Sequence, residues 1–256
     1  MIAVDIVFTD LDGTLLDHQT YSWAPAAPAL QRLARLGVPV IIVSSKTRAE
    51  IERLRSEMGH RDPFIVENGG AAFLPLPSGG YERIELGLAY PTLVEGLREA
   101  SRRSGVRVKG FSAMTVEEIA AATGLPPDLA ELAAQREYDE PFLILDENRP
   151  EELTAALETL GLRWTRGGRF YHVCGKNDKA AAVRAVAERY RSRASRLRLI
   201  GLGDSFNDLS FLSQMDVAAI VRSPHAEALK AALPDALVSE ARGPEGWAEI
   251  ISKVIP

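Results

Sequence analysis

Two aspartates one residue apart, Asp10 and Asp12 in VFTDLDGTLLD (7–17), close an apolar run just before a glycine. A second pair, Asp204 and Asp208 in GDSFND (203–208), follows another apolar run, LRLIGLG. Ser44 and Ser45 follow a third, VPVIIV, and Lys179 stands near the start of the helical stretch that opens around Asn177. Carboxylates gathered in one place repel each other unless a cation sits among them, and hard oxygen donors of this kind suit Mg2+. Two acids, a hydroxyl, a lysine and Mg2+ serve phosphoryl transfer, which asks for an aligned nucleophile and positive charge around the equatorial oxygens. On this reading ionised Asp10 attacks phosphorus to form an aspartyl-phosphate. Asp12 protonates the departing alkoxide and then deprotonates the hydrolytic water. Gly13 permits a tight backbone, Thr14 can brace the turn, and Lys179 with a serine hydroxyl holds the phosphoryl oxygens.

Such groups meet only if strand ends bring them together. Short apolar β-branched runs alternate with stretches of helical period: IAVDIVFT with PAAPALQRLARLG, then VPVIIVSS with TRAEIERLRSEMG. Both runs are too continuous for half-exposed strands and read as parallel strands joined by crossover helices. The rhythm returns in KAAAVRAVAERYRSR, LRLIGLGD, DVAAIV and HAEALKAAL. Both ends of the chain therefore build one doubly wound, Rossmann-like α/β core with a parallel sheet, whose carboxyl edge is where ligands bind. The middle mixes helices with isolated strands and reads as an inserted α+β domain. The expected division is 1–80 and 167–256 for the core and 81–166 for the insertion. Linkers are expected near Pro75–Gly80 and Arg166–Arg169.

Composition narrows the class. The 256 residues are 46% hydrophobic, enough to fill a real interior. A formal net charge of −5 without blocks of like charge leaves no footprint for nucleic acid. No apolar stretch approaches a membrane span and no signal peptide opens the chain, so a cytoplasmic enzyme with a small-molecule partner and no membrane contact is expected. Cys174, the single cysteine, suits a reducing compartment. The sequence is silent on oligomeric state.

DLDGT at Asp10–Thr14, the serine pair after the second strand, Lys179 in NDKAAAV and GDSFND at Gly203–Asp208 resemble the four motifs of the haloacid dehalogenase-like phosphatases. The resemblance covers both ends of the chain. It implies Asp10 as nucleophile and metal ligand, Asp12 as acid/base with its backbone carbonyl on Mg2+, and Asp204 as a further ligand. Asn207 and Asp208 become supporting residues. The usual second motif has one serine or threonine before Gly-Arg, whereas SSKTR carries an extra residue, so Ser45 is the first choice and Ser44 stays open.

The insertion between the second motif and Lys179 resembles the cap of the class whose α/β cap domain selects the substrate. Within it, SSKTRAE (44–50), EYDEPF (137–142) and TRGGRFYHV (165–173) are similar to mannosyl-3-phosphoglycerate phosphatases. That resemblance implies hydrolysis of a phosphorylated glycoside, mannosyl-3-phosphoglycerate, to mannosylglycerate and phosphate. Glucosyl-3-phosphoglycerate or sucrose-phosphate hydrolysis, or a phosphomutase, are the alternatives. Because that substrate carries a carboxylate, Arg166 and Arg169, with Gly167 and Gly168 between them, are expected to bind it. Glu137, Asp139 and Glu140 are expected to accept hydrogen bonds from sugar hydroxyls. Lys46 and Arg48 read as solvated residues at a helix start, Glu67 and Asn68 as a turn after FIV, and His172 as a packing residue.

Overall fold

The computed structural model describes residues 3–146, 149–167, 170–192 and 196–256. The first elements are β1 (Ala3–Thr9), α1 (Ala27–Leu36), β2 (Val40–Val43), α2 (Arg48–Met58), β3 (Phe64–Val66), β4 (Ala71–Pro75) and β5 (Tyr81–Glu85). Then come α3 (Tyr90–Ser104), β6 (Val108–Gly110), α4 (Val116–Thr123), α5 (Pro127–Ala133), β7 (Glu140–Ile144), α6 (Pro150–Thr159), β8 (Arg163–Gly167) and β9 (Phe170–Cys174). The chain ends with α7 (Lys179–Arg191), β10 (Arg196–Gly203), α8 (Leu209–Leu212), β11 (Val217–Ile220), α9 (Ala226–Ala232), β12 (Leu237–Val238) and α10 (Gly243–Val254).

Among the described residues the strands form an eight-stranded sheet, β12-β11-β10-β1-β2-β3-β4-β5, and a four-stranded sheet, β6-β7-β9-β8. From β12 to β3 the larger sheet is parallel, and β4 and β5 extend it antiparallel. The unbroken apolar strands are explained by helices on both faces. Ile6 and Phe8 of β1 pack with Ile41 and Val43 against Val183 and Val186 of α7 and Phe211 of α8. Val7 points the other way, with Val40 and Ile42, against Leu33 of α1, Ile51 of α2 and Trp247 and Ile250 of α10. Period-2 alternation along one strand thus feeds two separate cores. Because β1 lies between β2 and β10, the chain leaves it on one side and returns on the other, opening a crevice at the carboxyl ends.

The smaller sheet covers one face with α3 and α6, where Leu93, Leu97, Leu153 and Leu157 pack on Phe142 and Val173. A separate cluster of Phe111, Ile119 and Ala130 joins α4 and α5 to the Phe170 end of β9.

Sheet membership departs from the expected division. β5, Tyr81–Glu85, belongs to the larger sheet, and β8 and β9 pair as one hairpin of the smaller sheet. Pro75–Gly80 is the turn of the β4–β5 hairpin, closed by Leu76 N–H donating to Gly80 O at 3.1 Å. Arg166 is paired with Tyr171 inside β8 and does not lie on a linker. Glycine and proline mark hairpin turns and linkers alike, and here they mark turns. The chain passes between the sheets at 86–89 and 175–178. These crossings lie side by side: a Cβ on Gly87 would come within 3.3 Å of Asn177 Oδ1, and one on Gly175 within 3.1 Å of Leu88 N. Among the described residues no helix is long and apolar enough to cross a membrane.

Candidate active site

The segment after β1 turns sharply. Gly13 has φ +79°, a left-handed conformation that costs glycine little, and its N–H donates to Leu16 O at 2.9 Å. A Cβ on Gly13 would stand 2.6 Å from Asp204 Oδ2, so the absent side chain lets the loop after β10 close onto the loop after β1. Thr14 Oγ1 donates to Asp204 Oδ1 at 3.3 Å across the same seam. Asp10 follows β1 directly, its N–H held by Leu202 O at 2.9 Å. Behind it, Trp247 Nε1 donates to Thr9 Oγ1 at 3.0 Å, and the Thr9 hydroxyl donates to Asp10 O at 2.8 Å, fixing the strand end from the core.

Lys179 is the first residue of α7. Asp178 caps that helix by accepting from Ala181 N–H at 2.7 Å, which sets where the helix begins and so where Lys179 points. Its ammonium is buried and donates to Asp10 Oδ1 and Asp208 Oδ1, each at 2.7 Å. Asp208 Oδ2 accepts the N–H groups of Asp204 and Ser205, each at 3.1 Å. Asp208 is therefore saturated by the protein and acts as a brace that holds Lys179 and the loop after β10.

Carboxylate oxygens of Asp10, Asp204 and Asp208 all lie within 4.8 Å of one another. Burial, and then the charge of Asp208, push the Asp10 carboxyl well above the ordinary carboxylate range, against the pull of Lys179. The same two causes push Asp204 up to about 7. One buried ammonium thus leaves the acids under-compensated, which is the condition a divalent cation relieves. With Asp208 spent on protein donors, Asp10 and Asp204 are the side chains free to ligate, and their oxygens suit a hard ion.

The haloacid dehalogenase-like hydrolase family matches residues 7–76. A glucosyl-3-phosphoglycerate/mannosyl-3-phosphoglycerate phosphatase from Persephonella marina is 38% identical over 98% of this chain and 97% of its own. One of the same description from Methanococcoides burtonii is 40% identical over 98% and 97%. The chain belongs to the haloacid dehalogenase-like hydrolases. A solved haloacid dehalogenase-like hydrolase from Bacteroides thetaiotaomicron shares the fold, with a TM-score of 0.74 at 18% identity over 98% of this chain and 100% of that one.

Of the core residues expected from sequence, Asp10, Lys179, Asp204 and Asp208 meet at the ends of β1 and β10 and the start of α7, and Asp12 is near enough for its charge to act on Asp204. Ser44 and Ser45 follow β2, the strand next to β1. Ser44 is buried and its Oγ accepts from Lys46 N–H at 3.1 Å, while Ser45 O accepts from Arg136 Nη1 at 2.9 Å. Asn207 is exposed, and its Oδ1 accepts from the Ser205 hydroxyl.

The residues expected to bind the sugar and carboxylate are placed otherwise. Arg166 is exposed and stacks over Tyr171 at 5.3 Å, on the sheet face that packs against α3 and α6, and the structure does not bring it to the acids. Gly167 ends β8, and Gly168 and Arg169 lie outside the described residues. Glu137 accepts from Arg48 Nε at 2.8 Å. Asp139 accepts from Asn68 Nδ2 at 3.1 Å and pairs with His172 Nδ1 at 3.0 Å. Glu140 takes the Tyr90 hydroxyl and the Ser112 hydroxyl, each at 2.6 Å. These three acids accept from protein donors that tie the smaller sheet to its helices and to the core.

Four residues read as bland become parts of the junction. Glu67 and Asn68 carry positive φ, +47° and +55°, and Glu67 accepts Tyr138 N–H at 2.8 Å and Glu137 N–H at 3.0 Å. Arg48 crosses the same seam. Lys46, instead of reaching into solvent, folds back beside Asp12, its Nζ 3.2 Å from Asp12 Oδ1. Arg136, which sequence reasoning passed over, clamps the Ser45 carbonyl. Contacts distant in sequence set these groups in place, and nothing local in their spacing announces it.

Proposed function

We propose that the protein is a Mg2+-dependent phosphomonoesterase that hydrolyses mannosyl-3-phosphoglycerate, and its glucosyl counterpart, through an aspartyl-phosphate on Asp10. The observation that carries the chemistry is the cluster of Asp10, Asp204 and Asp208, with the Lys179 ammonium paired to Asp10 and Asp208, at the switch point of a parallel sheet. The substrate follows from the glucosyl-3-phosphoglycerate/mannosyl-3-phosphoglycerate phosphatases that align over nearly the whole chain. A small phosphorylated glycoside is the partner, and the buried unpaired Cys174 fits a cytoplasmic setting.

Asp10 and Asp204 side chains, with the Asp12 backbone carbonyl, would hold the metal, which when bound supplies positive charge against the developing charge of the phosphoryl oxygens. Lys179, donating to Asp10 Oδ1, fixes the rotamer of the nucleophile and adds a second positive charge at the reacting centre. An Asp10 oxygen attacks phosphorus as the bond to the leaving oxygen breaks. Asp12 gives that oxygen a proton, then takes one from the water that attacks the aspartyl-phosphate, which regenerates Asp10 and frees phosphate. Our choice of phosphoryl-oxygen donor is Ser44: its Oγ already accepts the Lys46 amide, so its proton is available to donate.

The test is phosphate release from mannosyl- and glucosyl-3-phosphoglycerate with Mg2+, without it, and with chelator followed by excess Mg2+. Turnover of both glycosides that vanishes with chelator and returns with Mg2+ is expected. Hydrolysis of neither glycoside, or full turnover in chelator, would refute the reading. Dependence on an added sugar bisphosphate, with no free phosphate formed, would instead point to a phosphomutase.

A further inference from the structure

The ammonium of Lys46 lies 3.2 Å from the acid/base residue, yet nothing in the reaction outlined above uses it. Lys46 follows the serine pair on the loop between β2 and α2, and its side chain is 15% exposed. Its Nζ lies 3.2 Å from Asp12 Oδ1, 3.6 Å from Glu50 Oε1 and 5.1 Å from the centre of the Tyr21 ring. The charges of Asp12 and Glu50 outweigh the cost of burial and push its pKa above the ordinary lysine value, so the group is a permanent cation.

Burying an ammonium is expensive, so its position calls for a reason. Helix capping does not supply one. Glu50 already closes the capping box of α2 through its other oxygen, which accepts Thr47 N–H at 2.9 Å and the Thr47 hydroxyl at 3.0 Å. The distances from Lys46 to its acids also exceed the roughly 2.7–2.9 Å of a tight charge-assisted hydrogen bond, whereas Lys179 meets both of its acids at 2.7 Å. Lys179 directs two of its three N–H donors at its carboxylates, and Lys46, more loosely held, keeps donor capacity for a further oxygen. Beside it lies a cavity of about 240 Å³ lined by Leu16, Tyr21, Lys46 and Glu50 from the core and by Leu125 and Leu129 from the insertion. It lies between the core and the insertion, and Lys46 is the lining residue that also stands beside Asp12.

We propose that Lys46 is a specificity-determining residue that binds a carboxylate carried by the leaving group, next to the oxygen that Asp12 protonates. The inference rests on the phosphomonoesterase reading above and gives it the cation that Arg166, stacked on the far face of the smaller sheet, does not provide. The geometry follows from the acid step. The leaving oxygen must reach Asp12 to receive its proton, so a group separated from that oxygen by two carbons arrives next to the Lys46 ammonium. A 3-phosphoglyceryl group carries its carboxylate at that separation, and a glycerol phosphate carries an uncharged hydroxymethyl there.

The experiment compares kcat/KM for 3-phosphoglycerate and for glycerol 3-phosphate, which differ only in that carboxylate, with Mg2+ present. Wild-type protein, Lys46→Met and Lys46→Arg are measured. Wild type should prefer 3-phosphoglycerate at least tenfold. Lys46→Met should cut this preference at least tenfold, chiefly through KM, and Lys46→Arg should keep most of it. Taking the ratio cancels any change in Asp12 that affects both substrates equally. A preference unchanged in Lys46→Met, or equal losses on both substrates, would overturn the proposal, and so would a wild-type protein indifferent to the carboxylate, a result that needs no variant. If wild type shows the preference but hydrolyses neither glycosyl-3-phosphoglycerate, the substrate reading above fails while the assignment of Lys46 stands.

Discussion

Lys179 stands 2.7 Å from Asp10 Oδ1, and both groups are buried. The same ammonium is 2.7 Å from Asp208, so one cation compensates two acids that have left water. Removing one partner of a buried ion group leaves uncompensated charge, at a cost of about 3–5 kcal/mol. Lys179→Met should lose stability of that size in urea titrations at neutral pH in chelator, together with activity. In an Asp10→Asn background the penalty should shrink, because one of the two stranded charges is gone. Equal penalties in both backgrounds would show that Lys179 does not compensate Asp10.

Asp10→Asn alone separates chemistry from folding. Asparagine keeps the shape of the side chain but is not a nucleophile, so phosphate release should fall at least 1,000-fold, the order expected when a covalent route is lost. Burial and the Asp208 charge already disfavour ionised Asp10, so the neutral variant should be no less stable than wild type in chelator. Retained turnover would remove Asp10 from the nucleophile's role.

How far the sequence could be read follows from what each signal depends on. Asp10, Asp204 and Lys179 were legible because a continuous apolar run ending in acids has few other uses, and the sheet topology then dictates that these ends meet. Lys46, Glu67 and Arg136 were not, since a charged residue at a helix start or in a turn looks solvated until folding sets groups distant in sequence against it. Arg166 shows the converse. Two arginines around two glycines resemble an anion clamp, but β-strand alternation puts Arg166 on the face with Tyr171 and Trp164, and that register depends on the pairing partner. The boundary near residue 80 failed for a similar reason: β5 continues the core sheet through a hairpin whose turn has the composition of a linker.

Gly13 offers a test of the seam between the two acidic loops. Alanine there would meet Asp204 Oδ2 at 2.6 Å and would have to adopt φ +79°. The left-handed conformation alone costs about 1–2 kcal/mol, which a domain of this size tolerates. Displacing Asp204 should do more damage to function than to folding. Gly13→Ala should therefore remain folded in circular dichroism while losing at least 100-fold in kcat/KM and needing more Mg2+ for half-maximal activity. Wild-type Mg2+ dependence in the variant would show that the close approach does not matter.

Glu67 is the group whose titration should be visible in stability. Burial raises its carboxyl to about 7, although Arg136 and the N–H groups of Tyr138 and Glu137 pull the other way. In the unfolded chain the same carboxyl titrates near 4.3. Between about pH 4.3 and 7 the folded protein therefore holds a proton that the unfolded chain has lost. Its contribution is fully present below the lower value and disappears as pH rises through the upper one, a change on the order of 3 kcal/mol. Asp10 and Asp204 also titrate, so wild type alone would not isolate it. The informative quantity is the difference in urea-unfolding free energy between wild type and Glu67→Gln, in chelator, from pH 4.5 to 8. Glutamine cannot ionise, so this difference should move against wild type as pH rises and level off above about 7. A difference that stays flat across that range would mean Glu67 is already ionised at the junction, held so by Arg136 and the two amides.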